Sequence, residues 1–202
     1  MRNDERLRTI YEVMAPYIVR NEHNWRDYLA FASQFHKHSF DNILLVYAQD
    51  EDVSILATRK QWAAIGRNLI PRAKGVAVCV YRNAKLTLDY LFDVSQTTGK
   101  EIHPTDWQLS DEMKEALTER LSYAHGFPKQ GFSQALYALA SESVADNYNH
   151  FLQELKQETK GHLFTEIPAG GFEAQYIQLL TDSISYFIGK KCHLPDEEIQ
   201  LS

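Results

Sequence analysis

The chain has 202 residues, of which 44% are hydrophobic, 12% aromatic and 24% charged, and its formal net charge is −6. A chain of this composition buries enough apolar surface to offset its ordering entropy, and with only 9 Gly and 6 Pro it is neither disordered nor collagen-like. The acidic total argues against nucleic acid as a partner, but a net charge averages over the whole chain. The first element in chain order is a helix over residues 4–20, with Leu7, Ile10, Tyr11, Met14 and Ile18 at helical spacing and Pro16 placed to kink or end it. A second helix is expected from Asn24, with the stripe Trp25, Tyr28, Leu29, Ala32 and Phe35. Ser39 is positioned to cap a third, carrying Phe40, Ile43, Leu44 and Tyr47, although Ile43–Tyr47 also reads as a strand.

From Val53 the texture changes. Val53–Leu56 reads as a short strand, and Thr58-Arg59-Lys60-Gln61 fits a capping box that opens a short helix ending at Gly66. Val76–Tyr81 is strongly β-prone, and after a turn at 82–85 the run Leu86–Tyr90 alternates with period two, which predicts a hairpin. After Thr98-Gly99 helix signals dominate. One helix starts at Ser110-Asp111-Glu112, Ser133 is positioned to cap a longer one, with Leu136, Ala140, Val144, Tyr148, Phe151 and Leu155 on one face, and a third follows Gly170-Gly171, with Phe172, Tyr176, Leu180, Ile184 and Phe187. The expected fold class is α+β: N-terminal helices packed on a small antiparallel sheet, its hairpin near 76–93, followed by a C-terminal helical layer. The corresponding organisation is an α+β region over 1–100 and an acidic helical region over 101–202, either separate or packed as one unit with the first.

Charge follows the same division. Residues 1–100 carry 14 Lys/Arg against 11 Asp/Glu, whereas residues 101–202 carry 7 against 16. The stretch 59–85 contains seven basic residues (Arg59, Lys60, Arg67, Arg72, Lys74, Arg82 and Lys85) and no acidic one. This asymmetry points either to an anionic partner on one face or to a solvated basic surface. Phosphates call for Lys/Arg on one surface, and single-stranded nucleic acid also needs exposed aromatic faces for stacking. Trp62 and Tyr81 lie among the basic residues. Trp62 is either a stacking ring or the core anchor of its small helix. Gly75 would allow close backbone approach to a phosphate, and Asn42 would either bond a base edge or hold a loop.

Catalytic constellations are missing from the sequence. It has no Walker loop, G-x-G-x-x-G, G-x-S-x-G or H-E-x-x-H. His36-Lys37-His38 places its two histidines on different helix faces, Asp50-Glu51-Asp52 lacks the pattern of a calcium loop, and Asp93 is better read as closing a turn than as catalytic. Cys79 and Cys192 have no metal-ligand spacing, and Cys79 in its apolar run reads as a buried thiol. No enzyme activity, metal or cofactor is expected. The N-terminal residues do not form a secretory signal and no apolar run is long enough to span a bilayer, so the expectation is a cytoplasmic protein with no membrane partner.

The series Trp25…Phe35 to Gln49, with Trp62…Gly66-Arg67…Lys74-Gly75-Val76-Ala77, resembles the ArdC-type N-terminal domain of antirestriction and conjugation proteins. The continuation Tyr90–Thr97, and the Ser183–Tyr186 stretch beyond it, are similar to the LtrC-like, helicase/primase-associated large proteins of Gram-positive conjugative elements. The resemblance implies a non-catalytic single-stranded DNA-binding module of a plasmid or transposon protein, with conjugation-machinery proteins as further partners. It puts Asn42, Gln49, Trp62, Gly66, Lys74 and Gly75 on the family pattern, and implies that the chain is the N-terminal piece of a larger protein. Two departures stand out. Ile70-Pro71-Arg72 replaces a basic, glycine-containing turn, with Arg72 where the family usually has Gly, and the H-E-x-x-H of the ArdC metalloprotease-like domain is missing. The expected nucleic-acid-binding residues are therefore Asn42, Arg59, Lys60, Trp62, Arg67, Arg72, Lys74, Gly75 and Tyr81. The alternative reading is a protein-interaction module of a conjugation or antirestriction assembly that uses the acidic helical half.

Overall fold

Capping chemistry sets the starts of the first helices. The computed structural model describes residues 3–35, 37–82, 85–102, 109–127, 131–158, 171–199 and 201. Helix α1 spans Asn3–Ile18 with Pro16 in its last turn, and the helix ends two residues later. Helix α2 (Glu22–Ser33) starts two residues before the expected Asn24, because the Asn21 side chain accepts the Asn24 N–H and becomes the cap. Ser39 caps α3 (Phe40–Gln49) through the Asn42 N–H, which settles the Ile43–Tyr47 run as helix. Tyr28 is fully buried and donates its hydroxyl to the Phe40 carbonyl. Its ring packs edge-on against Phe40 and Tyr47.

Strand β1 is Leu56–Thr58, later than the expected Val53–Leu56. The reason is local. The N–H groups of Ser54 and Ile55 donate to the Asp93 carboxylate at 2.7 and 3.0 Å, so they are unavailable to a ladder. The capping box at Thr58 and Gln61 opens α4 (Arg59–Ala64), and the chain leaves it through Gly66 at φ +83, in the left-handed region. Strands β2 (Arg67–Leu69), β3 (Val76–Arg82), β4 (Lys85–Asp93) and β5 (Thr97–Gly99) follow. They form a three-stranded antiparallel sheet in the order β1-β4-β3 and a separate antiparallel pair β2-β5. The β2-β5 pair has no sequence signal, since three residues are too few to show periodicity.

The hairpin has an inner and an outer face. Val76, Val78 and their cross-strand neighbour Leu91 are buried. Ala77, Cys79, Tyr81, Leu86, Leu88 and Tyr90 alternate with them and lie on the other face. Strand β3 is a sheet edge, so the outward N–H and C=O groups of Ala77 and Cys79 have no neighbouring strand. Helix α3 supplies the missing partners. Asn42 donates Nδ2–H to the Cys79 carbonyl and accepts the Cys79 N–H, both at 2.7 Å. Two turns further along the same face, Gln49 donates to the Ala77 carbonyl at 2.9 Å and accepts its N–H at 3.0 Å. Each amide stands in for a peptide group of a strand that is not there.

The chain divides into two compact units, Met1–Asp106 and Trp107–Ser202. The second contains α5 (Asp111–His125, capped by Ser110), α6 (Phe132–Glu158) and α7 (Phe172–Lys191). Helix α6 starts at Phe132, so Ser133 lies within its first turn and is not the cap it was expected to be. On α7 the expected apolar stripe is corrected. Tyr176, Leu180, Ile184 and Phe187 are only half-buried, whereas Thr181, Ser183, Ser185 and Gly189 are buried, because small side chains let a packed helix approach most closely. The Phe151 and Tyr176 rings stack at 4.2 Å between centroids. The molecule is thus α+β, with helices flanking a small antiparallel sheet and a second unit whose elements, among the described residues, are helices.

Candidate nucleic-acid interface

The basic stretch 59–85 occupies α4, the β2 strand, the β2–β3 loop and β3, all within the first unit. Arg59 and Lys60 form the exposed first turn of α4. Trp62, on the same short helix, is only 1% exposed and donates its indole N–H to the Phe92 carbonyl at 2.8 Å. It is the anchor that holds α4 on β4, and its ring is unavailable for base stacking.

Arg67 is likewise committed to the fold. Its guanidinium donates to the Thr97 hydroxyl at 2.7 Å, the Thr97 carbonyl at 2.9 Å and the Lys100 carbonyl at 2.6 Å. These bonds staple β2 to β5, so Arg67 is a clamp and not a free phosphate-binding fork. Gly75 is also corrected. A Cβ at this position would lie 3.0 Å from both the Phe92 ring and Tyr90 Cβ, so the close approach it permits is that of an aromatic ring and not a phosphate. Asn42 is held on the β3 edge by one donated and one accepted hydrogen bond to Cys79, so it serves the fold there.

The remaining residues face solvent. Arg72 is exposed with φ +67 at the third position of a turn closed by the Ala73 N–H on the Ile70 carbonyl, with Pro71 before it. That is the pattern of a type II turn, whose third position favours glycine. Lys74 is exposed at the foot of β3, and Lys85 at the hairpin tip. Arg82, also at the tip, pairs with Asp89 at 2.6 Å. Among the described residues Arg59, Lys60, Arg72, Lys74 and Lys85 form no ion pair. Tyr81 is 79% exposed on the outer face of the hairpin.

Two residues on that face escaped the sequence reading. Leu86, opposite Tyr81 in register, is 55% exposed, and Tyr90, opposite Ala77, is 44% exposed. The period-two alternation of Leu86–Tyr90 carried the signal, since it sends Leu86, Leu88 and Tyr90 to one side. Cys79 lies between them, half-buried and not fully enclosed as expected. Burial, and then the neighbouring Asp41 carboxylate, push its thiol above the ordinary range.

Asp93 closes the far end of the hairpin. Besides Ser54 and Ile55 it accepts the Ser95 N–H at 2.9 Å. Burial alone would raise this carboxyl, but hydrogen bonds from Ser95, Ser54 and Ile55 outweigh it and hold its pKa below the ordinary 3.8. The residue is a structural clamp. His36 lies outside the described residues, and no cluster of three metal-ligating side chains occurs among the described ones. No helix among them is long and apolar enough to cross a membrane.

Compared with protein-family models, with curated proteins and with solved structures, the chain finds no match.

Proposed function

We propose that the chain is a non-catalytic single-stranded DNA-binding module, cytoplasmic, from a protein of a conjugative element. The observation that carries the binding reading is the set of five exposed cations without ion-pair partners, Arg59, Lys60, Arg72, Lys74 and Lys85, on the unit that also exposes Tyr81. Free cations release counterions when they meet phosphates, and an exposed ring gives a base something to stack on. The conjugative setting rests on the resemblance of residues 25–49 and 62–77 to the ArdC-type domain.

The test is fluorescence anisotropy of a labelled single strand across a salt series. Affinity should fall with salt at a slope of up to about −3.5 if all five cations meet phosphates. Lys74→Glu combined with Arg59→Glu should weaken binding and flatten the slope. No binding at low salt, or a slope near zero, sinks the proposal.

The second reading, a protein-interaction module, is favoured by one feature of the second unit. An open cleft of about 800 Å³ is lined by Asp111, Glu115, Glu119, Glu197 and Glu198 around Phe132, Leu194 and Ile199, with one cation, Lys114, paired with Asp111 at 3.3 Å. Its chemistry fits a basic, partly apolar segment of a partner. Calorimetric titration of the chain with an oligolysine tests it: heat that disappears in Glu115→Lys with Glu198→Lys supports the cleft, and heat unchanged by those substitutions rejects it.

A further inference from the structure

The outer face of the β3–β4 hairpin contains no charged side chain. From one end to the other it presents Gly75, Ala77, Cys79 and Tyr81 on β3, and Leu86, Leu88, Tyr90 and Phe92 on β4. Exposure rises toward the tip, where Tyr81 and Leu86 stand opposite each other. Tyr90 lies four residues back along the ladder, opposite Ala77. At the strand rise this offset is about 13 Å. The Phe92 ring, lying over Gly75, fills the root of the face. Exposed cations stand at both ends: Lys74 before the root, and Lys85 at the tip, on the opposite side of the sheet from Tyr81. The acidic neighbour is Asp41, in the first turn of α3, whose charge helps to raise the Cys79 thiol and the Tyr11 hydroxyl.

We infer that this face is a base-stacking platform, on which Tyr81 and Tyr90 each receive one unpaired base of a single strand while Leu86 packs against the base on Tyr81. The inference rests on the DNA-binding reading and deepens it by naming where the bases go. An uncharged face with two open rings suits the apolar planes of bases, and the flanking cations suit the phosphates that join them. The 13 Å offset is too large for adjacent stacked bases, so the two rings hold separate nucleotides of one extended strand. Because the two amides of α3 close the β3 edge beside Ala77 and Cys79, the strand crosses the face of the sheet and does not pair along its edge.

The experiment compares two labelled probes on the intact chain, a short oligothymidylate and an abasic oligomer with the same number of phosphates. The wild type should bind the oligothymidylate more tightly. Tyr81→Ala and Tyr90→Ala should each weaken that binding about tenfold, while leaving the abasic probe unaffected. Tyr81→Phe and Tyr90→Phe should restore affinity, because stacking uses the ring and not the hydroxyl. Lys74→Gln with Lys85→Gln should weaken both probes alike. If the oligothymidylate binds but ignores both alanine substitutions, the platform is wrong and the phosphate reading stands. If neither probe binds, both fall. A dimer formed without DNA and dispersed by Tyr81→Ala would mean that a second copy covers the face, and would also overturn the platform.

Discussion

The helix and loop from Arg59 to Lys74 and the hairpin from Val76 to Asp93 carry the same kinds of side chain and put them to opposite uses. In the first, the aromatic ring is enclosed, its N–H is spent on a carbonyl, and one guanidinium is tied down by three hydrogen bonds. In the second, two tyrosines and a leucine stand open on an uncharged face. The difference teaches that donor-rich and ring-bearing side chains are as useful to a fold as to a ligand. Position decides between the two. Trp62, on the sheet-facing side of the short helix, and Arg67, between β2 and β5, become anchors, whereas Arg59 and Lys60 on the exposed turn of that helix and the residues on the far side of the sheet stay available.

Substitutions that strike the anchors should affect stability, and those that strike the open face should affect binding. The largest effect is expected at Trp62. Trp62→Ala leaves a cavity under α4 and an unpaired Phe92 carbonyl, and should cost about 3–5 kcal/mol by denaturant unfolding. Tyr81→Ala, by contrast, should stay within about 0.5 kcal/mol of wild type. Next comes the β3 edge. Asn42→Asp replaces the donor to the Cys79 carbonyl with a second acceptor, and should cost about 1–3 kcal/mol. Hydrogen exchange at Cys79 and Ala77 would show whether the edge opens.

The Asp93 clamp sharpens the comparison through pH. Its folded pKa lies below the unfolded value, so its contribution to stability is present above that value and is lost as pH falls through the folded one. The gap in urea midpoint between wild type and Asp93→Asn should therefore be largest near neutrality and shrink below about pH 4. A gap that stays constant into acid would mean that the ionised form is not what holds Ser54 and Ile55. The smallest effect, and the one with opposite signs, belongs to Arg72. Arg72→Gly relieves a left-handed residue and should stabilise the chain by about 1 kcal/mol. It also removes one phosphate contact, and so should reduce the salt slope of single-strand binding by about 0.7.

Much of the fold was legible because its signals are local. Ser39, and Thr58 with Gln61, cap the helices they were expected to cap, and the helix expected at Ser110 starts there, whereas Ser133 lies inside the helix it was expected to cap. The hairpin followed from β-branched residues and alternation. The departures come from contacts distant in sequence. Ser54 and Ile55 leave the β1 strand because Asp93 takes their N–H groups from 38 and 39 residues away. The buried residues of α7 are, apart from Tyr186, small ones that hydropathy does not rank as apolar. The site was less legible for the same reason. Nothing adjacent to Asn42 announces that Cys79 lies opposite it, and Arg67 shows no sign of Thr97 and Lys100. Tyr90 and Leu86 were readable in the alternation, but only knowledge of which face packs against the helices marks theirs as the open one.

The measurement that bears most directly on this division of labour is the affinity of Tyr81→Ala for an oligothymidylate, taken together with its unfolding midpoint. The account predicts an unchanged midpoint and an affinity about tenfold weaker than wild type. An unchanged midpoint with wild-type affinity would contradict it.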